Sequence, residues 1–221
     1  MDLDVRMCEC CARADMDMLM IGSRSVLFEY KFNSTTGKQI SAGAGPGGSA
    51  LTVSQSRAQL SMWAILKSPL LASADLDLVA SWATDPAAPE KGSGPELIEI
   101  LKNTEVLAVS DDPLGKEGVR LEDLHGGGVK SSADVFVGEM QGGKFAAVLL
   151  NRGNGPTNVT LALSDLGKIT GGLQAAAAVA RKFAVRDLWA HSNNGTVSAD
   201  GSITVLVGMY DVAMLTLTPA A

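Results

Sequence analysis

The chain is poor in the residues that most often carry chemistry. Its 221 residues hold two histidines and three cysteines, and the cysteines (Cys8, Cys10 and Cys11) all fall in one CECC run. Zinc sites draw on two separated ligand pairs at recognised spacing. Asp15 or His125 could complete a set, but with no second cysteine cluster no metal is expected. Adjacent Cys10 and Cys11 do not easily pair with each other, and a disulfide within a longer parent chain stays open. This crowded cluster reads as a product of altered splicing or gene modelling rather than a site. With only two histidines and no Gly-x-Ser-x-Gly elbow, a Ser-His-Asp hydrolase has no support, and His125 and His191 read as ordinary surface or edge residues.

Other absences narrow the field further. The net charge of -6 and the lack of a basic patch argue against a nucleic-acid surface. The longest apolar runs, such as MWAIL and PLLASA, fall short of the ~20 residues a spanning helix requires, so no membrane role is expected. The opening residues MDLDVRMCECCARADMDML begin with acids and lack the apolar core of a secretory leader. Three Asn-x-Ser/Thr sequons, at Asn33, Asn158 and Asn194, would nonetheless suit a glycoprotein of the secretory route.

What is present is the composition of a globular protein, 46% hydrophobic and 19% charged, long enough for one large domain or two small ones. Residues 24–50, centred on GAGPGG, read as an exposed flexible insertion; without a following GKS or GKT they are not a phosphate loop. Thr52 and Gln55 have capping-box spacing. Ala58, Leu60, Trp63, Ala64 and Leu66 continue at helical period, and Pro69 ends the helix near Lys67 or Ser68. PLLASA then reads as a short buried strand, completing half of an α/β repeat. Residues 83–94 read as a second insertion. Pro95 suits a first helical turn, with Leu97, Ile98 and Leu101 facing inward. VLAV reads as strand or extended, and SDDPLG as a tight turn.

From about residue 120 the texture changes. Residues 134–139, 144–151, 158–163, 179–188, 203–207 and 213–218 read as short strands, punctuated by MQGGK, NRGNG, SNNGT and SADGS. That spacing predicts an antiparallel sandwich. The alanine run at 175–180 fits either helix or strand.

Three segments carry a resemblance: DMDMLMIG (15–22), QSRAQLSMWAILKSPLLASADL (55–76) and NTEVLAVSDDPLGKEG (103–118). They are similar to the last part of the α-galactosidase family of glycoside hydrolases, whose near relatives are α-N-acetylgalactosaminidases. VLLNRG, RDLWAH and MLTLTP resemble strands of that family's β-domain. The fold the resemblance implies is α/β plus all-β. Residues 1–119 would be the last βα units of a (β/α)8 TIM barrel, with insertions at 24–50 and 83–94, and residues 120–221 a C-terminal antiparallel β-sandwich. Asp15-Met16-Asp17-Met18-Leu19 is similar to an Asp-Pro-Asp-Met-Leu segment at the carboxyl end of the seventh barrel strand, where side chains enter the active-site mouth. By that match Asp17 would hydrogen-bond sugar hydroxyls and Met18 would line the pocket, while Asp15 is an ordinary loop acid. Met16 stands where the family has proline, and Arg13-Ala14 where it has Trp-Asn. Trp63 and Met62 read as core, and Trp189 as β-domain core with sugar stacking as the alternative.

Members of this family hydrolyse terminal α-linked galactose from oligosaccharides or glycolipids by a retaining double displacement, with two carboxylates ~5 Å apart. No cofactor is implied. The Lys-Tyr-Asp-Asn-Cys-like nucleophile strand and the Trp-Arg…Asp acid/base context do not occur in the sequence, so both catalytic aspartates are lacking and the chain alone is expected to be inactive. Together with the missing leader, which conflicts with the family's secreted, lysosomal or vacuolar location, this is read as a truncated amino terminus. The expected ligand is an α-galactoside carbohydrate, bound through the parent enzyme, and a homodimer is in keeping with the family. The alternative is a non-catalytic β-sandwich module that binds sugar or a partner chain.

Overall fold

The computed structural model describes residues 16, 18–22, 28–32, 39–44, 51–81, 84, 94–121, 132–169 and 182–220. Strands β1 (Phe28–Phe32) and β2 (Gln39–Ala44) pair antiparallel, so the Gly/Ser-rich stretch holds a hairpin where an unstructured insertion was expected. Helix α1 (Val53–Ile65) starts on the expected capping box: the Gln55 amide donates to Thr52 Oγ1, and the Thr52 amide to Gln55 Oε1. It stops at Leu66, and Lys67 follows in the left-handed region at φ 56°. Short helices α2 (Leu76–Ser81), α3 (Gly94–Leu101) and α4 (Thr104–Ser110) complete the helical layer.

Helix α4 corrects the extended reading of VLAV. Asn103 decides the matter, because its Oδ1 accepts from the amides of Glu105 and Val106 and so satisfies two orphan donors of the first turn. PLLASA is also corrected. It forms a single parallel bridge, Ala72 with Leu19, and residues 71–73 are exposed.

Strands β3 (Val119–Arg120), β4 (Ala133–Met140), β5 (Lys144–Asn151), β6 (Thr157–Ala162), β7 (Lys182–Asp187), β8 (Ser192–Ser198), β9 (Ser202–Val207) and β10 (Val212–Ala220) follow. The larger sheet runs β3-β4-β5-β10-β7-β8, and β6 and β9 pair separately; every pairing is antiparallel. Strand β8 was expected to be a turn. Its SNNGT composition is poor in β-formers, but backbone pairing with β7 holds it in the sheet, with a register shift opposite Ala184–Arg186.

Both faces of the six-stranded sheet are covered. Phe145, Ala147 and Leu149 on β5 pack with Phe183, Leu215 and Leu217 beneath Val159 and Leu161 of β6, which makes the sandwich core. The alternate residues Ala146 and Val148, with Met214 of β10, pack beneath Leu60, Ala64 and Ile65 of α1. Period-two alternation thus sends successive β5 residues into two different cores, which is why the FAAVLL run at 145–150 is apolar throughout. Burying each such Leu or Phe contributes roughly 1.5–3 kcal/mol. Gly118 lets α1 sit close to the sheet: its amide donates to Ile65 O at 2.8 Å, and a Cβ there would lie 2.7 Å from Ile65 Cγ1. Among the described residues no helix is long and apolar enough to cross a membrane.

Candidate functional site

Residues 16 and 18–22 form a short segment that is held from three sides. The Leu19 amide donates to Leu71 O at 2.8 Å and the Ser73 amide to Leu19 O at 3.3 Å, forming the parallel bridge to 71–73. The Met20 amide donates to Gln59 Oε1 of α1 at 2.9 Å, and the Met16 amide to Ser68 Oγ at 2.9 Å. Two parallel segments joined through a helix that packs on them make a βαβ arrangement. Leu19 and Ile21 turn into the core under α1, at 2% and 1% exposure. Met18 falls on the other side of the alternation and is 48% exposed, as is its register neighbour Leu71 at 58%. Ser68 and Gln59 were not read as positioning residues. Hydrogen bonds 52 and 39 residues apart leave no local signal.

A second polar constellation fixes the helices to the sheet. Asn103 Nδ2 donates to Leu188 O at 2.9 Å, tying the cap of α4 to the turn after β7. Glu105 takes both Nε and Nη2 of Arg186, the latter at 2.8 Å, and Oε1 also meets His191 Nδ1 at 2.6 Å. Hydrogen bonding from Arg186, opposed by partial desolvation and aided by His191, pulls the Glu105 carboxyl from its ordinary 4.5 down to about 2. Trp189 Nε1 donates to Ser61 Oγ of α1 at 3.0 Å, and its ring packs with the helical cluster. Trp189 is thus a core residue of the β-domain as expected, on the face of the sheet that carries α1 rather than within the sandwich. His191, expected to be an ordinary surface residue, is exposed but bound to Glu105.

Asp15, Asp17, Cys8, Cys10, Cys11, His125, Asn33 and the alanine run at 175–180 lie outside the described residues, as does most of 83–94. Trp63 and Met62 pack against the helical core as expected. Asn158 and Asn194 sit exposed on β6 and β8. The SDDPLG turn forms, with the Gly115 amide on Asp112 O at 3.0 Å and the Leu114 amide on Asp112 Oδ1 at 3.1 Å. Among the described residues no group of three His, Cys, Asp or Glu side chains is placed to hold a metal ion.

An antiparallel β-sandwich backed by helices, and preceded by a parallel pair of segments, defines the class. Residues 130–217 match the domain family described as the alpha galactosidase C-terminal beta sandwich domain. Over 173 residues the chain is 30% identical to alpha-galactosidase from Coffea arabica, covering 78% of this chain and 38% of that protein. Over 187 residues it is 30% identical to alpha-galactosidase 3 from Arabidopsis thaliana, covering 80% and 37%. The crystal structure of alpha-galactosidase I from Mortierella vinacea superposes with a TM-score of 0.59 at 24% identity, covering 80% of this chain and 38% of that one. The chain belongs to the α-galactosidase family and corresponds to its carboxy-terminal portion. It spans less than two-fifths of the length of these curated relatives.

Proposed function

We propose that this chain is the carboxy-terminal part of an α-galactosidase-type glycoside hydrolase that releases terminal α-linked galactose from oligosaccharides or glycolipids by retaining double displacement. In this reading residues 1–119 are the last βα units of a TIM barrel and residues 120–221 the sandwich that braces them. The observation that carries it is the βαβ arrangement of 16–22, α1 and 69–73, seated through α1 on the β5–β10 face. Active-site groups of such barrels stand at the carboxyl ends of strands. Met18 then lines the sugar subsite with its thioether side chain, and Asp17 accepts hydrogen bonds from sugar hydroxyls. The α-galactoside carbohydrate is the partner, and neither a cofactor, a nucleic acid nor a membrane takes part. A homodimer is the assembly in keeping with the family.

Retaining hydrolysis needs a nucleophile and an acid/base about 5 Å apart, and the sequence carries neither catalytic motif. The purified chain is therefore expected to leave an aryl α-galactoside uncleaved at any pH from 4 to 7, on the order of the uncatalysed rate. Release of the aryl group by the wild-type chain, lost in Asp17→Ala, would overturn this reading.

A further inference from the structure

A cleft of about 280 Å³ opens where α1, the turn after β7 and the turn between β9 and β10 meet. Arg57, Asp187, Trp189, Leu206 and Asp211 are among the residues that line it. We propose that it binds a single neutral pyranoside, a role independent of the hydrolase reading. Its volume of about 280 Å³ lies just below the roughly 300–1,000 Å³ typical of small-molecule sites, which suits one sugar ring rather than a chain.

The lining combines apolar and polar side chains. The indole N–H of Trp189 is already taken by Ser61, so the ring is held in place and offers packing surface rather than a hydrogen bond. Leu206 adds an aliphatic side chain that is 68% exposed. Among the polar lining groups, Arg57 Nη2 meets Asp211 Oδ2 at 2.8 Å and Nε meets Oδ1 at 3.3 Å, which sets donors and acceptors side by side. Asp187 Oδ1 accepts from the amides of Trp189 and Ala190, both at 2.9 Å, and its Oδ2 takes no hydrogen bond among the described residues.

These groups select by exclusion. One guanidinium against two carboxylates disfavours an anionic ligand, and a cation would meet Arg57. A wholly apolar ligand would cover the ion pair and the open Asp187 oxygen without replacing their water, which is costly. A pyranoside carries an apolar C–H face for Trp189 and Leu206, and vicinal hydroxyls that donate to Asp187 Oδ2 and Asp211 while accepting from Arg57.

Methyl α-D-galactopyranoside titrated into the full ¹⁵N-labelled chain tests this. Saturable shifts are expected at the amides of 187–190 and 205–208, with a Kd on the order of 1 mM. Asp187→Asn keeps the turn's acceptor and removes the free carboxylate oxygen, and should weaken binding about tenfold. Leu206→Asp, at an exposed position that cannot unfold the core, should abolish the saturable shifts. Absence of saturation, shifts centred elsewhere, or unchanged affinity in both variants would overturn the proposal.

Discussion

Glu105 shows how a single side chain couples two layers. It belongs to α4, while its partners Arg186 and His191 belong to the end of β7 and the turn beyond. A carboxyl lowered from 4.5 to about 2 binds its proton less readily folded than unfolded. Its stabilising contribution is therefore complete above about pH 4.5 and is lost as pH falls toward 2. Glu105→Gln should lower stability by about 1–2 kcal/mol at pH 7, since a two-pronged, half-buried pair exceeds an ordinary surface ion pair. Urea midpoints at pH 7 and pH 2.5 would check this: the difference between wild type and variant should be clear at the first and much smaller at the second. At the other end of the sheet Asp134, only 4% exposed, meets both Arg120 and Arg152 and so ties β4 to β3 and to the residue after β5.

At the scale of elements, the contact between α1 and the sheet depends on the absence of a side chain. Gly118 and Gly138 approach each other beneath Ile65, and a branched residue at 118 would drive into both the Ile65 side chain and its carbonyl. Gly118→Val should cost about 1–3 kcal/mol as overpacking, read as a lowered thermal midpoint by circular dichroism. Such contacts explain what the sequence could and could not reveal about these elements. The capping box at Thr52, the short apolar run in KFAAVLLN and the punctuation by MQGGK and SADGS are local, and α1, β4, β5 and β9 were legible from them. Strand β8 and helix α4 were not: SNNGT is extended only because β7 lies beside it, and VLAV is helical because Asn103 caps it and Leu188 anchors Asn103. Of the candidate site, Asp17 and Met18 are proposed from the resemblance to the family segment, whereas Gln59 and Ser68, which hold that segment in place, are set by tertiary contacts alone.

For the whole molecule, the six-stranded sheet is a wall shared by two cores, and β5 stands inside it between β4 and β10. Phe145 to Leu149 are each at most 1% exposed and alternate between the two clusters. Water and base can reach the amides of these five residues only when both layers have come away together. Opening of the helical layer alone would uncover one side of the strand and leave its ladder bonds to β4 and β10 intact. In deuterated buffer the amides of Phe145 to Leu149 should therefore be the last to exchange, with an opening free energy equal to that of global unfolding. Earlier exchange in β5 than in β6 or β9 would show that the two layers part independently. Buried on two sides, this strand sets the clock by which the chain can be taken apart by solvent.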